Sequence, residues 1–96
     1  MTLSASDLHD LELALGDRLY LQVAGWHLYL KDAGLAQALA IECSARLSQG
    51  ASIAARQALE AVQVPIGGSA TRLPLARLIP AGQLRDLEEV LDPFCR

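Results

Sequence analysis

The chain is poor in aromatic side chains. Tyr20, Trp26, Tyr29 and Phe94 are the only ones in 96 residues. The core must therefore be built from aliphatic groups, and the single Trp is expected to act as a core anchor. Cysteine is scarce too. Cys43 and Cys95 stand far apart and form neither a CxxC pair nor a zinc-ligand spacing. That argues against a disulfide framework and a zinc module, and two reduced thiols are expected, with Cys43 in the core and Cys95 exposed. No Lys or Arg neighbours another, and the net charge is −3. A nonspecific nucleic-acid surface needs several clustered cations, so no nucleic-acid partner is expected. A polybasic membrane anchor fails on the same ground. The longest uncharged run, Leu19 to Leu30, has twelve residues. A membrane-spanning helix needs about 20, so no integral segment is expected. The opening residues are polar and acidic rather than basic and then apolar, so no export signal is expected.

What is present is Ala and Leu in quantity. Hydrophobic residues make up 52% of the chain, which favours a single mainly α domain over residues 1–96. Ser4 and Ser6 are candidate N-caps, with acids behind them that suit a helix start. At 100° per residue, Leu8, Leu11, Leu15, Leu19, Val23, Trp26 and Leu30 form one stripe. They predict a long first helix from about Ser6 to about Lys31, weakened at Gly16 and Gly25, where a bend or a break is open to it. Leu13, Leu21 and Leu28 fall off that stripe and predict a second apolar side.

Further helices are predicted over Leu35–Leu47 and from a Ser52 cap to Ala61 or Val62. Val62, Val64 and Ile66 then alternate before Gly67-Gly68, which predicts a two-stranded hairpin returning near Thr71–Leu73. "LPLARLIP" reads as about two helical turns between Pro74 and Pro80. A last helix buries Leu84, Leu87, Val90 and Leu91 and stops at Pro93, with Phe94 folding back. The expected fold is a compact helical domain of four to five helices with a small two-stranded β-hairpin insert.

Candidate chemistry concentrates in "GWHLYLKDAGL", residues 25–35. His27 has no second ligand at helical spacing: positions 23, 24, 30 and 31 are Val, Ala, Leu and Lys. No metal site or cofactor is therefore expected. No Ser or Cys sits in a nucleophile motif, and the paired carboxylates read as solvated helix faces. "IGGSATR" lacks the Lys and the helix of a phosphate loop and reads as a turn, with Arg72 at its mouth.

Tyr20, the string Trp26-His27-Leu28-Tyr29-Leu30-Lys31-Asp32, Gly67-Gly68, Arg72, Pro74-Leu75 and Leu78-Ile79-Pro80 together resemble a family of small cyanobacterial proteins of unknown function. Some of its members are labelled thylakoid-associated. The resemblance covers nearly the whole chain. It implies a cytoplasmic protein of a cyanobacterium, or one peripheral to the cytoplasmic face of the thylakoid, and it implies no reaction.

The function expected from these readings is a noncatalytic interaction or assembly module, with a protein partner or self-association. Tyr20, Leu21, His27, Leu28, Lys31, Asp32 and Arg72 are the candidate contact residues. The alternative is a small-molecule-binding or enzymatic domain that uses His27, Tyr29 and Arg72. The two differ in geometry: a flat exposed patch suits the first, and convergence of His27 and Arg72 on a pocket suits the second.

Overall fold

A computed structural model of the chain describes residues 3–23, 26–65 and 72–95, with the backbone alone for Val23, Trp26 and Pro65. The first helix, α1 (Ala5–Arg18), is opened by Ser4, whose hydroxyl accepts the Asp7 N–H at 3.1 Å. It buries Leu11 and Leu15 completely.

The long first helix is corrected here. After Arg18 the backbone turns extended at Leu19 and forms strand β1 (Tyr20–Val23), then strand β2 (Trp26–Tyr29). They pair antiparallel, with Tyr20 opposite Tyr29, Leu21 opposite Leu28, Gln22 opposite His27 and Val23 opposite Trp26. The physical reason lies in composition. This stretch holds both Tyr residues, the Trp and a Val, which favour a pleated surface over a helix. A period of two also fits it: Leu19 and Leu21 stand on the buried side of the strand, and Leu30 closes the pairing by donating its N–H to the Leu19 carbonyl at 3.0 Å. The helical stripe continued through this region only because positions 19, 23, 26 and 30 satisfy both periods. The expectation that the Trp26 side chain anchors the core falls outside the described residues.

A single helical turn, α2 (Leu30–Ala33), follows and is stopped by Gly34 at φ 74°. Helix α3 (Ala36–Ser44) leads into a 3-10 turn at Leu47–Gln49, and Gly50, at φ 98°, reverses the chain into α4 (Ala51–Ala61). The predicted Ser52 cap is thereby corrected: the helix starts one residue after Gly50, and Ser52 lies inside it.

The expected second hairpin is present as β3 (Gln63–Pro65) and β4 (Arg72–Pro74), with Val64 opposite Leu73. Its Gly67-Gly68 turn lies outside the described residues. "LPLARLIP" makes one 3-10 turn, Leu75–Arg77, rather than two helical turns. Helix α5 (Gln83–Leu91) ends in a 3-10 turn at Asp92–Cys95, and Phe94 packs against the core as expected.

Helix α1 packs on α3, α3 on α4, α4 on α5, and α5 returns to α1. The shared core is almost wholly Leu and Ala: Leu39, Leu75, Leu87 and Leu91 are fully enclosed, with Ala40, Ala54, Ala55 and Ala58 between the helices. Small side chains at those contacts let the helix axes approach closely. Gly16 makes the tightest approach of the described glycines. A Cβ there would lie 2.9 Å from the Lys31 Cβ and 3.4 Å from the Ala36 Cβ. Gly16 is therefore a packing residue, which explains its place inside a helix.

Candidate functional site

The β1–β2 hairpin gathers the polar and aromatic groups of the "WHLYLKD" region on one face. Alternation along each strand puts Tyr20 and Gln22 beside His27 and Tyr29. The Tyr20 and His27 rings stack with centroids 5.0 Å apart, and the Tyr20 and Tyr29 rings meet edge to face at 5.9 Å. The Gln22 side-chain amide and the His27 Nε2 lie 2.7 Å apart. An imidazole without a proton on that nitrogen accepts this bond from the amide. Gln22 was not singled out in the sequence, because its adjacency to His27 exists only in the hairpin register.

The two strands have different edges. The register and the Leu30-to-Leu19 bond direct the N–H groups of Tyr20 and Gln22 away from β2. Both are taken up by the chain around α5. Tyr20 donates to the buried Gln83 Oε1 at 2.9 Å, and Gln22 donates to the Leu78 carbonyl at 2.8 Å. The other end of the Gln83 amide donates to Asp86 at 2.9 Å. Asp86 and Glu89 face Arg18 across 3.5 and 3.4 Å. This network seats β1 on the core. The outward N–H groups of His27 and Tyr29 on β2 have no hydrogen-bond partner among the described residues. His27, Leu28 and Tyr29 are exposed in succession, Leu28 at 39% and Tyr29 at 45%.

The remaining candidate residues are distributed differently. Leu21 is buried at 6% and belongs to the core, so it is not a surface group. The second apolar side of a first helix is corrected accordingly: Leu13 lies on α1, 53% exposed, while Leu21 and Leu28 oppose one another on strands. Lys31 donates to Asp17 at 2.9 Å, and this hydrogen bond raises its pKa above the usual lysine value. Asp32 is exposed on α2. Arg72 opens β4 in the other hairpin, opposite Pro65. Among the described residues no hydrogen bond, ion pair or ring contact joins it to Tyr20, His27 or Tyr29.

Among the surface hollows formed by described residues are four that His27, Tyr29 and Arg72 do not line. One, of about 200 Å³, lies between α4 and the start of α5 and is walled by Leu59, Ile79, Pro80 and Leu84. Another, of about 250 Å³, is bordered by Leu13, Asp17, Lys31 and Gln37. Among the described residues no group of three or more His, Cys, Asp or Glu is placed to hold a metal ion. No described helix is long and apolar enough to cross a membrane.

Both thiols are free. Cys43 is fully enclosed, and burial pushes its thiol up to about 12. Cys95 is half-buried rather than exposed, packed at the C-terminal turn, and burial raises its thiol as well.

No curated protein and no solved structure matches this chain. A family model does match over residues 8–94, which takes in both hairpins, helices α2 to α5 and all but the first three residues of α1. The chain belongs to the family described as protein of unknown function (DUF3181).

Proposed function

We propose that the protein is a noncatalytic interaction or assembly module, and that the β1–β2 hairpin carries its contact surface. The observation behind this reading is the run His27-Leu28-Tyr29, three large side chains exposed in succession on a strand whose outer edge is unpaired among the described residues. A strand that only served the core would bury alternate residues. Exposed aromatic and aliphatic groups beside unsatisfied backbone donors suit a protein partner. His27 and Tyr29 lie on a strand face and line none of the four hollows described above, which favours contact with a surface over enclosure of a small molecule. Lys31 and Asp32, on the turn after β2, form a charged rim to the same region.

The location that goes with this reading is the cytoplasm of a cyanobacterium or the cytoplasmic face of its thylakoid. It rests on the resemblance carried by the "WHLYLKD" string. Co-purification from the cell that makes the protein tests the reading. The Leu28→Asp/Tyr29→Ala variant should lose a partner that the unmodified chain and an Ile53→Asp control both retain, with all three melting alike. Ile53 is a fair control because it is equally prominent, at 43% exposed, on α4. Equal recovery by the hairpin variant and the control would refute it. Membrane fractionation should find any bound pool released by high salt or mild alkali.

A further inference from the structure

Among the described residues the outer edge of β2 is unpaired, and its register suits a second strand of the same kind. His27 and Tyr29 direct their N–H groups outward, with Leu28 between them; the Tyr29 carbonyl, at the N-cap of α2, accepts the first helical N–H and keeps a second lone pair for a partner. Two such edges related by a two-fold axis through Leu28 would set His27 of one copy opposite Tyr29 of the other, and the reverse. Each of those pairs exchanges two backbone hydrogen bonds, so all four outward N–H groups find an acceptor. We propose that the partner at this edge is a second copy of this chain, joined β2 to β2 in that register into a four-stranded antiparallel sheet. This inference rests on the reading of the hairpin as the contact surface.

Three further observations favour a second copy. The hairpin lies within the uncharged run from Leu19 to Leu30, so two chains of net charge −3 can approach there without placing like charges together. Strand edges are ordinarily guarded by Lys, Pro or a bulge, and the described residues of β2 hold neither Lys nor Pro. β1 is instead covered by Leu78 and Gln83. The register also repeats chemistry already present in the hairpin, since a His27–Tyr29 pair across the axis matches the ring contacts Tyr20 makes with both. It covers Leu28 with its own counterpart. Two strands this short bury less than the roughly 1,200 Å² of a stable complex, so the dimer is weak and concentration-dependent.

The register supplies its own test. Leu28 and its copy form a non-hydrogen-bonded pair with Cα atoms about 4.5 Å apart, within disulfide reach. In a Cys95→Ser background of the full chain, Leu28→Cys should give a covalent dimer under copper–phenanthroline oxidation. Leu13→Cys, a more exposed site off the hairpin, should give little. Sedimentation of the unmodified chain should show dimer rising with concentration. Leu28→Lys, which sets two cations opposite each other across the axis, should weaken it at least about tenfold. A chain that stays monomeric at every concentration overturns the proposal, as does Leu28→Lys dimerising like the unmodified chain, or Leu28→Cys linking no faster than Leu13→Cys. If the monomeric chain still captures another protein through Leu28 and Tyr29, self-pairing fails and the interaction reading stands. If neither self-pairing nor hairpin-dependent capture is found, both fail.

Discussion

The Gln83 side-chain carbonyl accepts the outward backbone N–H of Tyr20 at 2.9 Å. A residue at the start of the last helix thus closes the edge of a strand that follows the first. Gln83 is buried at 7%, and its amide is used at both ends, on Tyr20 and on Asp86. One side of the hairpin is thereby tied down, and the other has no hydrogen-bond partner among the described residues.

Replacing Gln83 by Leu keeps the volume and removes both bonds. The Tyr20 N–H would be left without an acceptor in a part-buried place, which costs about 1–3 kcal/mol. Thermal unfolding should register that loss, and amide exchange at Tyr20 should accelerate more than exchange in α4. Gln83→Glu retains an acceptor for Tyr20 but sets a second carboxylate beside Asp86, so it should fall between Leu and the unmodified chain at neutral pH. A Gln83→Leu variant as stable as the original would show that the bond does not hold the hairpin.

Gly16→Ala should destabilise the fold, against the usual direction for a helix interior. Alanine is normally preferred to glycine there by about 1 kcal/mol. Here the added methyl meets the Lys31 Cβ at 2.9 Å and the Lys31 Cα at 3.4 Å, so α1 and α2 would have to part. Overpacking of this kind costs about 1–3 kcal/mol. Denaturant unfolding decides the sign, and a gain in stability would mean that α1 and α2 are not in close contact.

The Cys43 thiol should be chemically silent in the folded chain. The thiolate is the reacting species, and burial holds this thiol at about 12 against an ordinary 9.0. Alkylation at pH 8 followed by mass spectrometry should mark Cys95 first and Cys43 only as fast as the chain opens. The same shift makes stability depend on pH. A thiol pKa raised by folding stabilises fully below pH 9, and that contribution falls as pH climbs from 9 towards 12, by about 1.4 kcal/mol per pH unit at most. Cys43→Ala should lack this component of the alkaline decline. Identical pH profiles for the two chains would contradict the assignment.

The helical frame was legible wherever one period dominated. The α1 stripe of Leu8, Leu11 and Leu15, the Ser4 cap, the Gly50 reversal and the Pro-bounded last helix all follow from local signals. The Val64–Leu73 hairpin was announced by alternation and Gly-Gly. The stretch from Leu19 to Leu30 was not legible in the same way, because its apolar positions satisfy a helical period as well as an alternating one. What separated them was the density of Tyr, Trp and Val, a signal that a stripe count leaves out. The candidate site inherited that ambiguity. On a helix, Tyr20 and His27 would be two turns apart. In the hairpin they stack, and Leu21 is buried while Leu28, opposite it on the same face, stays exposed. Gln83 and Gly16 could not be read from the sequence at all, since the role of each depends on a partner distant along the chain.

The central claim, that the β2 side of the hairpin is where this protein meets its partner, is tested most directly by a photo-crosslinking amino acid placed at Leu28 in the intact cell. The control carries the same group at Ile53, comparably exposed on α4. Position 28 should yield a discrete cross-linked species on illumination, either a dimer of this chain or a conjugate with one other protein, and position 53 should yield none. Adducts of equal amount from both positions, or none from position 28, would contradict the account.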